Sequence, residues 1–318
     1  MSFSNVIGRG DSAALVPEDV ANDMLGHVAT QTSAARQLFR NVPVASGQTR
    51  FPILSSLPFA YWVNGDTGLA QTTEEQWSNK FLNIEELSVI VPVPENVLAD
   101  VADEGGFDLW SEVQPDCEIA IGRTLDSAIF FGTNAPETFP TCIATDAEAR
   151  GFEFEEASTA AEGGIQNDID ELVGLLEVAG FDPTGIVANR TLKGKLRRAR
   201  STIGERLSGV NADITNYMGM DIAYPMRGLF PTGAGRVESF VGDYSEFALG
   251  VRKDITFEML NEAALQNSAG EIVVNLAQQK MKAMMLTCRI GWQVSNKIRY
   301  DQTNEALRYP VGVLKSKT

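Results

Sequence analysis

An α+β fold is what this sequence predicts, and four stretches carry the prediction. Phe107 to Phe131 sets Trp110, Val113, Cys117, Ala120, Ile121, Leu125, Ala128 and Ile129 on one face at helical spacing, over about 36 Å. Phe81 to Val93 (FLNIEELSVIVPV) reads as a strand, and Lys280 to Val294 alternates with period two, placing Met284, Leu286, Cys288, Ile290 and Trp292 on one side. Asn167 to Arg200 runs helix, glycine, turn, buried strand and capped helix, an α/β layer of its own. A chain of 318 residues holds one large domain or two interleaved ones.

After a polar leader, Pro17 to Arg40 opens with proline and two acids and closes with Arg36 and Arg40, the charge order of a helix. Its polar, β-branched middle, Ala29 to Ser33, is a place for that helix to break. Val42 to Gln76 changes to short β-like pieces punctuated by Pro43, Gly47, Pro52, Pro58, Gly65 and Gly68. A stretch this long with little core of its own points to a functional loop. Phe51, Phe59, Tyr61, Trp62 and Trp77 are costly to leave in water, so they imply burial against something else.

Pro94 begins a short helix, ENVLADV, before the long one from Phe107. Pro115 lies inside the long helix and predicts a kink or a break there, because its ring removes one hydrogen bond and crowds the preceding turn. Gly132 to Gly164 is loop-rich. Asn167 or Asp168 caps DIDELVGLLEVA, Gly180 closes it, and Asn189 caps RTLKGKLRRAR. That last helix carries Lys193, Lys195, Arg197, Arg198 and Arg200, the one basic cluster of the chain. Without interleaved aromatics it fits a solvated or subunit-facing surface better than a nucleic-acid contact. RVESFVGDY, EFALGVRK and ITFEML follow as strands.

The composition excludes more chemistry than it suggests. With 26 basic and 42 acidic side chains the formal charge is −16, too acidic for a nucleic-acid-binding module. Cys117, Cys142 and Cys288 are widely spaced and lack a CxxC, so they read as apolar fillers in a reducing compartment, not as a disulfide framework or zinc knuckle. His27 is the only histidine, which removes His-centred triads and multi-His metal sites. Gly163-Gly164 and Gly228 to Gly235 (GLFPTGAG) lack the GxxxxGK[ST] and GxGxxG orders and read as turns. Glu153, Glu155 and Glu156, like Glu74 and Glu75, read as solvated carboxylates, not an acid/base pair. No catalytic residue, metal or cofactor is expected. No apolar run reaches the roughly 20 residues of a membrane span, and no signal peptide opens the chain, so a soluble, cytosolic product is expected.

The order of these segments resembles the major capsid proteins of tailed bacteriophages, the Hong Kong ninety-seven type shell fold. The resemblance runs from about Leu15 onward through LVPEDVANDML, FPILSSLPFAYWVNGDTGLAQTTEEQWSNKFLNIEELSVIVPVPENVLADV, VGDYSEFALGVRKDITFEM and MKAMMLTCRIGWQVSN. It implies an N-terminal arm over 1–45 and an extended β-hairpin loop over 46–79 that lies across a neighbouring subunit. It implies a peripheral domain over 80–135 and 246–318 with a long spine helix, and an axial α/β domain over 136–245. Phe51, Phe59, Tyr61, Trp62, Trp77, Lys193, Arg197 and Arg198 are then subunit-interface residues.

The implied function is a non-enzymatic shell subunit forming pentamers and hexamers around double-stranded DNA, without sequence-specific binding, assembled in host cytoplasm with a portal. Only Met1 to Ala14 precede the arm, so a separate scaffolding protein, or none, is expected, with no maturation cleavage. Some relatives weld the loop to a neighbour through a Lys–Asn isopeptide bond. No lysine lies between Thr49 and Asn79, so closure is expected to be noncovalent or to use a cement protein. An encapsulin-like compartment enclosing a cargo enzyme is the alternative within the fold; a small-molecule enzyme using the Gly163 or Gly228 loops is the alternative outside it.

Overall fold

The computed structural model describes residues 33–63, 69, 72–105, 109–159, 162–199, 214–225, 228–267 and 269–317. Most of the helix expected over Pro17–Arg40, with His27, and Arg200 of the basic cluster lie outside those residues. What is described of the N-terminal helix is α1 (Ala34–Leu38), and Arg40 starts a strand instead of ending the helix. Strands β1 (Arg40–Pro43), β2 (Gln48–Ser56), β3 (Gln76–Asn83) and β4 (Glu85–Pro94) follow. The strand expected over Phe81–Val93 is thus two strands. The chain changes partner at Ile84, whose amide donates to the Gly47 carbonyl at 2.9 Å, while Asn83 bonds Gln48 and the Thr138 carbonyl through its side chain.

Helix α2 (Glu95–Gly105) begins immediately after Pro94. Helix α3 (Leu109–Phe131) continues through Pro115, so of the kink or break expected there the break is absent. Pro115 sits in the second turn, close enough to the helix start that few intrahelical bonds precede it. Then come α4 (Ile143–Ala149), β5 (Glu153–Glu155), α5 (Ile165–Val178), β6 (Gly185–Ala188) and α6 (Arg190–Arg198). Helix α5 starts before the expected caps. Gly164 (φ 60°) is its N-cap, and Asp168 faces inward to accept the amides of Ala157 and Ser158 at 3.4 and 3.0 Å. Gly180 closes this segment with φ 83°, and the Asn189 side chain accepts from the Thr191 amide, both as expected. The chain continues through β7 (Asn216–Tyr217), β8 (Met220–Ala223), β9 (Val237–Gly242), β10 (Phe247–Leu260), β11 (Ala264–Gln266), β12 (Ile272–Asn275), α7 (Leu276–Gln279), β13 (Met281–Val294) and β14 (Val311–Lys315).

The described residues divide into two units. One contains residues 86–122 and 253–290. Its strands follow the order β10-β13-β4, and β11 pairs antiparallel with β12 as a hairpin. Val93, Val97, Val101 and Leu109 form one buried cluster and Val274, Leu276, Met281 and Ala283 another. Along β13 every residue of the expected apolar set, Met284 to Trp292, is buried, as the period-two pattern requires.

The other unit contains residues 33–85, 123–252 and 291–317. Six strands form its sheet in the order β5-β14-β9-β6-β8-β7. The sequence grouped 311–315 with the strands of 246–318; it lies instead between β5, parallel, and β9, antiparallel. Val311, Val313 and Leu314 are fully buried there, and α5 packs on the strand. A second core is aromatic: Phe39 stacks on Phe247 and Tyr244 at centroid distances of 4.9 and 5.9 Å, with Phe130, Phe240 and Trp292 around them. Beside it the buried Asp126 carboxylate accepts from the Ser33 hydroxyl and from the amides of Ala34 and Ala35, tying the start of α1 to α3. Burial pushes the Asp126 carboxyl above its ordinary range, opposed by those three bonds.

Candidate subunit-interface surfaces

Strands β2 and β3 pair antiparallel from Gln48↔Asn83 to Ser56↔Gln76, with a register shift near Leu54, and make a two-stranded ribbon. At its base Leu82 and Ile53 are buried, whereas among the described residues further out none is buried and most are exposed. The ribbon therefore has no apolar layer to lie on within its own unit, and two strands alone are marginally stable in water. Trp62 is 98% exposed, Leu69 87%, Phe59 65% and Trp77 62%. Tyr61 is half-buried with its ring 6.3 Å from that of Phe59, and Phe51 is half-buried at the base. The five aromatics singled out in the sequence thus lie on one hairpin, and the most exposed of them is a tryptophan, Trp62. Lys80, at the root, pairs with Glu305 at 3.2 Å.

The basic helix α6 presents two kinds of cation. Lys195 turns inward, 2.5 and 2.6 Å from the Glu156 oxygens and 2.6 Å from Glu238, which is fully buried and also pairs with Arg236 at 3.2 Å. Burial raises the Glu156 carboxyl above its usual range against the pull of Lys195. Glu156 is therefore no solvated carboxylate, contrary to the reading from its alternation. Lys193 lies over the Tyr224 ring, 5.3 Å from its centroid. Arg197 and Arg198 are exposed, with Arg198 Nε donating to the Gly194 carbonyl at 3.3 Å.

Helix α5 was missed as a surface. Its inner face buries Ile169, Leu172 and Leu176, while Glu171, Leu175 and Val178 point outward, Leu175 41% and Val178 79% exposed. The apolar count of LVGLLEV reads as core from either side, so only burial separates the two faces.

Two open depressions on this unit have mixed polar and apolar linings. The larger, of about 440 Å³, meets Gly163, Gly164, Lys195, Arg198 and Lys317; another, of about 280 Å³, lies along the Gly228 loop with Arg190 and Arg236. Gly163, Gly228, Gly233 and Gly235 have positive φ, so both glycine segments are turns. Among the described residues no group of three or more His, Cys, Asp or Glu is placed to hold a metal ion, and no helix is long and apolar enough to cross a membrane. Cys117 and Cys142 are free thiols, and Cys117 and Cys288 are buried.

The phage capsid family model matches residues 12–298. A solved structure from Microbacterium phage Oxtober96 is 30% identical, covers 98% of this chain and 100% of its own, and superposes with a TM-score of 0.80. One from Mycobacterium phage Adephagia is 26% identical over 99% of each chain, also at 0.80. The capsid of a native GTA particle, 16% identical over 99% of each chain, shares the fold with a TM-score of 0.67. No curated protein matches the chain.

Proposed function

Because this chain belongs to the phage capsid family, and is therefore a structural subunit of a virion shell and not an enzyme, we propose that its copies close as pentamers and hexamers around double-stranded DNA. The observation that carries this reading is the projecting β2–β3 ribbon, whose Trp62 has almost its whole surface in water. Such a group stabilises a structure only when a second copy covers it.

The ribbon, residues 46–79, serves as the extended loop and 1–45 as the N-terminal arm; 80–135 with 246–310 form the peripheral domain around α3, and 136–245, with β14 added to their sheet, form the axial domain. Phe51, Phe59, Tyr61, Trp62 and Trp77 are its contacts with one neighbour, and Lys193, Arg197 and Arg198 its contacts near the capsomer axis. Closure is noncovalent, or reinforced by a cement protein: Lys80, at the root of the ribbon in β3, is engaged with Glu305. A separate scaffolding protein and a portal complete the assembly in the host cytoplasm.

Sedimentation and electron microscopy of the expressed chain, with and without a scaffold, test the reading. Closed particles are expected; a chain that stays monomeric at high concentration under both conditions overturns it. Particles that carry a cargo enzyme and no DNA would favour an encapsulin-like compartment.

A further inference from the structure

Helices α5 and α6 carry opposite charge throughout. Between Ile165 and Val178 stand Asp168, Asp170, Glu171 and Glu177 with no basic residue; between Arg190 and Arg198 stand Arg190, Lys193, Lys195, Arg197 and Arg198 with no acidic one. Asp168 and Lys195 serve the fold internally, and Asp170 accepts from the Tyr217 hydroxyl at 2.8 Å. Outward on α5 lie Glu171, Leu175 and Val178 at positions i, i+4 and i+7, flanked by Glu177. Along α6 the corresponding stripe is Arg190, Lys193 and Arg197.

At the centre of each stripe stands a glycine in the helix interior, Gly174 on α5 and Gly194 on α6. Neither has positive φ, and a Cβ added at either would meet nothing within 4 Å among the described residues. Turn geometry therefore does not require them, nor does packing against the described residues. A helix-interior glycine lowers stability relative to alanine, and what it allows is close approach of another backbone.

Resting on the ring-forming role proposed above, we propose that α5 of one copy packs on α6 of a second copy. Gly174 and Gly194 let the helices approach, Leu175 and Val178 are removed from water, and Glu171 and Glu177 face Arg190 and Arg197. The contact joins two different surfaces, so it propagates head to tail and closes as a ring. Opposite charges steer the encounter and fix its register, while the apolar pair supplies the buried area.

Charge exchange tests this on the full chain. Glu171→Arg with Glu177→Arg, and separately Arg190→Glu with Arg197→Glu, should each cut the assembled fraction in sedimentation velocity by about tenfold or more, since like charges across an interface are strongly repulsive. All four changes together should restore it. Gly174→Ala and Gly194→Ala should raise the melting temperature of the unassembled chain and yet lower assembly. Either exchange assembling like the wild type, or the fourfold variant assembling no better than its parents, overturns the contact. Loss of encapsidated DNA from the α6 exchange alone, with the α5 exchange silent, also overturns it and assigns α6 to nucleic acid. Failure of the wild type to assemble is a different result: it removes the shell reading on which the contact rests.

Discussion

Glu238 has no exposed surface, and its two oxygens meet Lys195 at 2.6 Å and Arg236 at 3.2 Å. Removing one partner leaves a buried charge under-compensated, and the cost of breaking a buried pair exceeds what the intact pair contributes. Lys195→Ala should lower the unfolding free energy of the unassembled subunit by about 3 kcal/mol in urea denaturation. A change below about 0.5 kcal/mol, the usual range for a surface site, would count against it. Asp126 makes a pH-dependent prediction. Its folded carboxyl is held above the ordinary value of 3.8, chiefly by burial. A raised acid binds more protons in the folded than in the unfolded state, so its contribution is complete below 3.8 and is lost as pH rises through the folded value. The stability of the wild type minus that of Asp126→Asn should therefore fall as pH is raised from below 3.8 through that window. A difference that stays flat or rises would show that the three donated hydrogen bonds outweigh burial.

Among the elements, the β2–β3 ribbon and the strand β13 behave as opposites. Trp62→Ala should leave the melting temperature of the unassembled subunit within about 2 °C, since surface substitutions sit within about 0.5 kcal/mol, while shell formation fails. Equal losses of both would place Trp62 in an internal core. In β13, a Cβ at Gly291 would lie 1.9 Å from the Asn83 carbonyl oxygen. Gly291→Ala should thus abolish soluble subunit, and ordinary yields with an unshifted melting curve would contradict the close approach. This contrast also explains what was readable beforehand. Met284 to Trp292 could be read because one buried face imposes period two, and Asn189 because a cap is a local bond. The aromatic stretch was legible as a hairpin or loop with little core of its own, because proline and glycine punctuate it. By contrast, the break at Ile84 depends on Gly47 and Thr138, the unbroken passage through Pro115 on where α3 starts, and the inward turn of Glu156 on Lys195. Each of these is set by a residue distant in sequence or by a boundary, and periodicity carries no information about either. The α5 surface was hidden for a related reason, as Leu175 and Leu176 look alike until one is seen to be exposed.

For the whole molecule, a formal charge of −16 sets long-range repulsion between copies against the short-range opposite-charge contact proposed between α5 and α6. The screening length falls from about 30 Å at 0.01 M salt to about 3 Å at 1 M. Repulsion between whole subunits is relieved first and the α5–α6 attraction weakened last. Assembly rate measured by light scattering should therefore pass through a maximum at intermediate salt, and a monotonic fall from the lowest salt would contradict that balance. The acidity that excludes a DNA-binding module is compatible with a DNA container, whose wall need not grip its contents. One further consequence belongs to β14. It lies between β5 and β9 and supports α5, yet its residues come long after theirs in the chain. At roughly 5–20 residues per second of synthesis, the stretch from Gly242 to Val311 takes several seconds to emerge. Throughout that interval the nascent sheet lacks an interior strand and α5 lacks its support. A half-translated subunit therefore has a sheet split between β5 and β9 and an α5 without one of the strands it packs on.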